Sequence, residues 1–169
     1  MRLVWVGRIL AVMAVLGLTV VTTSADEGTV SARANLTGFQ ETPVPKLTDG
    51  TGTFSATVNG QTLSYRLTFS NLSSPAFAAH IHFAEAGVTG GIIAGLCGFG
   101  TTPACPAAGG TVTGTITAAD IQALTAQNVR AGDFAGAVRI LESGDAYVNV
   151  HSMHFPGGEI RGQVKANSD

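Results

Sequence analysis

Charge is scarce in this chain: Asp, Glu, Lys and Arg together make up 12% of 169 residues, and nine basic residues stand against eleven acidic ones. A basic surface able to neutralise a run of phosphates is missing, which excludes nucleic acid as an expected partner. Only two cysteines are present, Cys97 and Cys105, and they form no CxxC pair, so neither a disulfide-dense scaffold nor a thiolate metal site is indicated. The Gly-rich stretch from Gly87 to Gly110 has no lysine for a phosphate-binding loop, and its glycines read as turn residues. No internal repeat or heptad pattern emerges. The acidic residues are scattered, so no paired carboxylates suited to glycoside hydrolysis are placed by spacing. Ser152 adjoins His151, but neighbours on a strand point to opposite faces, so they make no nucleophile–base pair.

The long apolar run needed to cross a bilayer is also missing. Ile9 to Val21 is apolar apart from Gly17 and Thr19, shorter than the roughly 20 residues a spanning helix wants. With Arg2 and Arg8 as a positive flank and Thr23-Ser24-Ala25 as small residues for cleavage, Met1 to Ala25 reads as a signal peptide. The expected mature chain, residues 26–169, is then a single domain with its core over about 30–164, and it has no transmembrane segment after cleavage. Taking Arg2 and Arg8 from the nine basic residues leaves seven against eleven acidic, so this part is near −4 with histidines neutral. No cysteine follows the leader to accept a lipid, so a secreted protein, extracellular or periplasmic, is expected. In such an oxidising compartment Cys97 and Cys105 are expected to form one disulfide, worth about 2 to 3 kcal/mol for so short a loop.

What is abundant is glycine, 22 residues, with period-two alternation of apolar side chains. Val30, Ala32, Ala34 and Leu36 alternate; so do Phe54, Ala56 and Val58, then Leu63, Tyr65, Leu67 and Phe69 after an Asn59-Gly60 hairpin signal. Phe77, Ala79, Ile81 and Phe83 form another core-facing set. Ile92 to Leu96, Val112 to Ile116, Val148 and Val150, and Ile160 to Val164 bring the count to eight short strands. Two segments look helical: Thr117 to Leu124, about two turns opened by Thr117, and Asp133 to Leu141, with Phe134, Ala137, Val138 and Leu141 on one face and Gly144 ending it. The expected fold is all-β, a Greek-key sandwich or barrel with two short helices.

The four histidines fall into two tight groups, His80 with His82 and His151 with His154. Opposite the core set of their strand, His80 and His82 share one face about 7 Å apart. His151 follows Tyr147 and Asn149 on the polar face of a later strand, and Glu159, Arg161 and Gln163 alternate on the last. His80, His82 and His151 can therefore converge, with Glu159, His154 or Asn149 as a fourth or supporting group and His154 the least determined, because a turn bends there. Neutral imidazoles suit copper or zinc. The reading that asks for less is a buried cluster that needs no cofactor, in which the imidazoles, Glu159 and Arg161 satisfy one another's hydrogen bonds under a loop.

Leu36-Thr37-Gly38-Phe39-Gln40-Glu41-Thr42-Pro43, Ala79-His80-Ile81-His82, and Tyr147-Val148-Asn149-Val150-His151 followed by Pro156-Gly157-Gly158-Glu159-Ile160-Arg161-Gly162-Gln163 together resemble the chordin (CHRD) domain over about Val30 to Val164. A leader followed by one such domain is similar to a common bacterial arrangement. The resemblance implies an extracellular immunoglobulin-like β-barrel, likened also to copper-zinc superoxide dismutase, whose copper strand carries a His-x-His pair. It implies no general activity. Four histidines are too few for both dismutase metals, and His154 stands outside the family pattern. The expected role is non-enzymatic, binding or structural, toward an extracellular or envelope ligand; the alternative is a copper- or zinc-binding protein with redox chemistry.

Overall fold

The computed structural model describes residues 29–168. The proposed leader, Met1 to Ala25, lies outside them. Among the described residues no helix is long and apolar enough to cross a membrane.

Alternation becomes ladder first in the run β1 (Val30–Thr37), β2 (Thr51–Asn59) and β3 (Thr62–Ser70). β2 and β3 pair from Thr51↔Ser70 to Asn59↔Thr62, and Gly60, at φ +55°, makes the turn between them. The inward residues Leu36, Phe54, Leu67 and Phe69 are all but fully buried. Then come β4 (Ala76–Phe83), β5 (Gly91–Cys97), β6 (Gly110–Ile116), β7 (Ala146–Ser152), β8 (Ile160–Gln163) and β9 (Lys165–Ser168). The strands run in the order β5-β4-β7-β8-β1-β2-β3-β6, every pairing antiparallel, with β9 also on β1. β5 and β6 approach each other without a ladder, which leaves an almost closed barrel. Because β3 lies beside β6 and not beside β4, these four strands have Greek-key order. Gly114 leaves room for the ring of Tyr65, whose hydroxyl crosses to donate to the Leu96 carbonyl at 2.7 Å.

Among the described residues nine strands replace the expected eight. The last alternating run divides at Val164, whose N–H donates to the Ala146 carbonyl at 2.8 Å; before it the chain pairs with β7 and meets β1 at Thr37↔Arg161, and after it the chain pairs with β1 alone. The second expected helix is present as α1 (Phe134–Ser143), capped by Asp133, whose carboxylate accepts from the Gly136 N–H, and ended by Gly144 at φ +82°. Phe134, Ala137, Ile140 and Leu141 face the barrel end, whereas Val138 is only partly buried. The first expected helix shrinks to a 3-10 turn, Ala118–Asp120. Asp120 accepts from the N–H of Thr117, the carboxylate half of a capping box, and also from its hydroxyl. The next amides are drawn off elsewhere: Gln122 N–H donates to the Ile93 carbonyl and Leu124 bridges Val129, so no second turn forms.

One strand departs from strict alternation. Phe77, expected in the core, is 41% exposed, because a bulge in the β4–β7 ladder leaves it unpaired between Ala76↔Ser152 and Ala78↔His151. Its ring turns to within 6.0 Å of His151. The expected disulfide is formed between Cys97 and Cys105, with the Cα atoms 5.0 Å apart.

Candidate metal centre

Register places the site. Across β4, β7 and β8, His82 lies opposite Tyr147 and then Gln163; His80 lies opposite Asn149 and then Arg161; Ala78 lies opposite His151. Cross-strand partners share a face, so three imidazoles stand on adjacent positions of two strands. One nitrogen from each of His80, His82 and His151 lies within 4.8 Å of the others. The convergence read from alternation is what the barrel displays.

The polar face that carries them is closed to solvent. His80, His82 and His151 are 6, 7 and 9% exposed. The segment 84–90 reaches His82 through the Gly90 carbonyl, and the segment 38–50, which holds Arg161 through Thr42, is joined to it by the Thr42 and Thr89 hydroxyls at 3.0 Å. Phe99, inside the disulfide loop, packs edge-on against His80 at 4.9 Å between centroids. Gly95, the β5 partner of His80, makes this possible, since a Cβ there would sit 2.8 Å from the Phe99 ring.

Backbone carbonyls fix which nitrogens carry protons. His82 Nδ1–H donates to the Gly90 carbonyl at 3.0 Å and His151 Nδ1–H to the Pro156 carbonyl at 2.9 Å. Both rings therefore present an unprotonated Nε2. His80 Nδ1–H donates to His151 Nε2 at 3.1 Å, which leaves His80 Nε2 as a free lone pair. Neither His80 Nε2 nor His82 Nε2 has a hydrogen-bond partner, although both are buried. Burial, with the neighbouring imidazoles adding to it, pushes His80 down to about 3. Burial brings His82 down to about 4 and lowers His151 as well. All three rings are neutral at pH 7, the form that binds metal.

The remaining expected groups are elsewhere. Glu159 is fully buried but turned to a neighbouring loop: it accepts from Thr48 Oγ1 at 2.5 Å, Ser73 N–H at 2.7 Å and Ser73 Oγ at 3.0 Å. Burial pushes its carboxyl up, but hydrogen bonds from Ser152, Thr48 and Ser73 outweigh that and hold it below the usual range. It is a loop anchor, outside the imidazole group. His154 is exposed and stacks on Phe155 at 4.5 Å, also outside the group.

Two further residues complete the buried polar layer. Asn149 Oδ1 and Glu41 Oε1 are, with the two imidazole nitrogens, the buried side-chain atoms that lack hydrogen-bond partners among the described residues. Glu41 was legible only as part of a motif, since nothing in an irregular segment announces that a carboxylate turns inward. Burial raises it to about 7, against the pull of the Thr42 N–H and the positive charge of Arg161. Arg161, 1% exposed, donates to Thr42 Oγ1 at 2.6 Å and the Glu85 carbonyl at 3.1 Å. Its guanidinium lies 3.5 Å over Tyr147, and Tyr147 in turn stacks on His82 at 4.6 Å and 8°.

Three neutral imidazoles, two of them with a buried partnerless nitrogen and two oriented by carbonyls, fit a late first-row metal in donor chemistry, and a small inward shift of the rings would bring nitrogens now within 4.8 Å to bonding distance of one ion. Comparisons with curated proteins and with solved structures return no match. The sequence pattern of the CHRD domain does match, over residues 32–164, and by that match across most of its length the chain belongs to the CHRD domain family.

Proposed function

We propose that this CHRD domain is an exported, non-enzymatic binding module, and that its binding element is a copper or zinc site formed by His80, His82 and His151. The observation that carries the reading is the approach of one ring nitrogen each from His80, His82 and His151 to within 4.8 Å, with the buried Nε2 atoms of His80 and His82 left without a hydrogen-bond partner. A buried acceptor without a partner costs about 1–3 kcal/mol, and a metal ion removes that cost at two atoms together. The apolar leader segment and the paired cysteines support export.

The test is elemental analysis of protein loaded with copper or with zinc and freed of excess ion. One metal per chain is expected, falling to near zero in the His80→Ala, His82→Ala double variant, with cooperative thermal unfolding kept as the folding control. Equal stoichiometry in both proteins, or none in either, defeats the reading. A second reading rests on the His80–His151 hydrogen bond and the edge-on Phe99 contact, which suit a metal-free polar cluster. On that reading the double variant loses stability and the wild type takes up no ion.

A further inference from the structure

The barrel's other polar face has a different composition. Outward residues of β9, β1, β2, β3 and β6 line up across the sheet, because the ladders are continuous there. One row reads Lys165, Arg33, Ser55, Arg66, Thr113, and the next reads Asn35, Thr53, Thr68, Thr111. Apart from the half-buried Thr68 every one of these side chains is exposed. Beside them runs an open groove of about 1030 Å³, bordered by Arg33, Arg66 and Lys165 and by hydroxyl and amide side chains such as Ser55 and Asn35, with no acidic residue on its walls.

That is a marked concentration of positive charge in a chain of net charge −2. Strand spacing sets Lys165 about 5 Å from Arg33, and Arg33 about 10 Å from Arg66. Arg33 opposite Lys165 is a like-charge cross-strand pair, an arrangement that weakens a sheet unless an anion lies against it. Among the described residues the groove's walls hold no carboxylate to supply that anion.

We infer that this groove is a binding site for an acidic polysaccharide of the polyuronate type. Forked guanidinium groups take carboxylates in a two-pronged arrangement, and the Ser, Thr and Asn side chains between them match sugar hydroxyls in donor and acceptor number. Three cations spread over five strands suit a polymer with one carboxylate per sugar, not the dense charge of a sulfated chain. Nucleic acid is disfavoured because no exposed aromatic ring lines the groove for base stacking. The site is distinct from the imidazole group and does not depend on a metal.

The experiment is calorimetric titration of the whole protein with polygalacturonate at low ionic strength, in the presence of a chelator. Neutral dextran, dextran sulfate, poly-glutamate and single-stranded DNA serve as comparators. Polygalacturonate is expected to bind tightest, with affinity falling as salt is added. The triple variant Arg33→Gln, Arg66→Gln, Lys165→Gln is expected to lose about tenfold in affinity, from three exposed ion pairs of modest strength each. Arg130→Gln, exposed but outside the groove, and the His80→Ala, His82→Ala variant should bind as wild type does. No binding, equal binding by the triple variant, or a preference for any comparator polymer overturns the inference.

Discussion

The two sides of this barrel obey the same alternation and have opposite fates. On β1, β2 and β3 every second residue is polar and meets solvent, as in the burial of β3, where Leu63, Tyr65, Leu67 and Phe69 are in and Ser64 and Arg66 are out. On β7 all seven residues from Ala146 to Ser152 are buried. The polar residues there, Asn149 and His151, are covered by folded-over segments that bring Thr42, Glu85 and Gly90 onto them or their neighbours. Alternation therefore tells which face is apolar, and only the connecting segments decide whether the polar face is wet.

The sharpest way to break this contrast is to cut one arginine from each side. Arg161→Ala removes bonds to Thr42 and Glu85, a stack on Tyr147 and the charge nearest Glu41, and is expected to cost about 3 to 5 kcal/mol in urea unfolding. Arg66→Ala, on the open side, should stay within about 0.5 kcal/mol. If the two losses are alike, the covered face is less enclosed than its burial indicates.

Next in size is a pH effect. The carboxyl of Glu41 stands at about 7 in the fold against a usual 4.5, so between those values the native state holds a proton that the unfolded chain has released. Its contribution is complete below about 4.5 and is lost as pH rises through 7. The charged or titratable groups facing it are Arg161 and Tyr147 from the sheet and Lys46 from its own segment. Glu41→Gln is expected to flatten the fall in stability across this window and to gain up to about 3 kcal/mol at pH 8, read from denaturant midpoints. An unchanged pH profile contradicts the inward carboxyl.

Glu159→Gln tests the anchor role. Losing a charged acceptor to Thr48 and Ser73 should cost about 1 to 2 kcal/mol while copper or zinc stoichiometry stays at the wild-type value. A drop in bound metal would return Glu159 to the site. Smallest of all is Thr53→Ala on the open face, expected to leave the unfolding midpoint within about 0.5 kcal/mol of wild type.

Much of this was legible from residue order because the physics is local. Leu63 to Phe69 needs only a period of two, Asp133 and Gly144 carry helix-end chemistry in their own side chains, and His80 and His82 share a face whatever their strand pairs with. The convergence of His151 required only that two polar faces be adjacent. What escaped depends on distant partners. Phe77 is turned out by a bulge set by β7, and the helix at Thr117 is stopped by a carbonyl on β5. Glu159 has the spacing of a site residue, yet Thr48 and Ser73, which turn it away, come from chain more than eighty residues off. Glu41 lies in an irregular segment, where no period assigns a direction.

The stack of Arg161, Tyr147 and His82 also gives the domain a built-in gauge. Trp5 falls in the leader-like segment, and beyond it the indole and phenol chromophores reduce to Tyr65 and Tyr147. Tyr147 lies flat on His82 while the Tyr65 hydroxyl is tied to Leu96. Whatever occupies His82 thus changes the surroundings of one of two emitting phenols, so the tyrosine fluorescence of the unlabelled domain reads out the state of that imidazole directly.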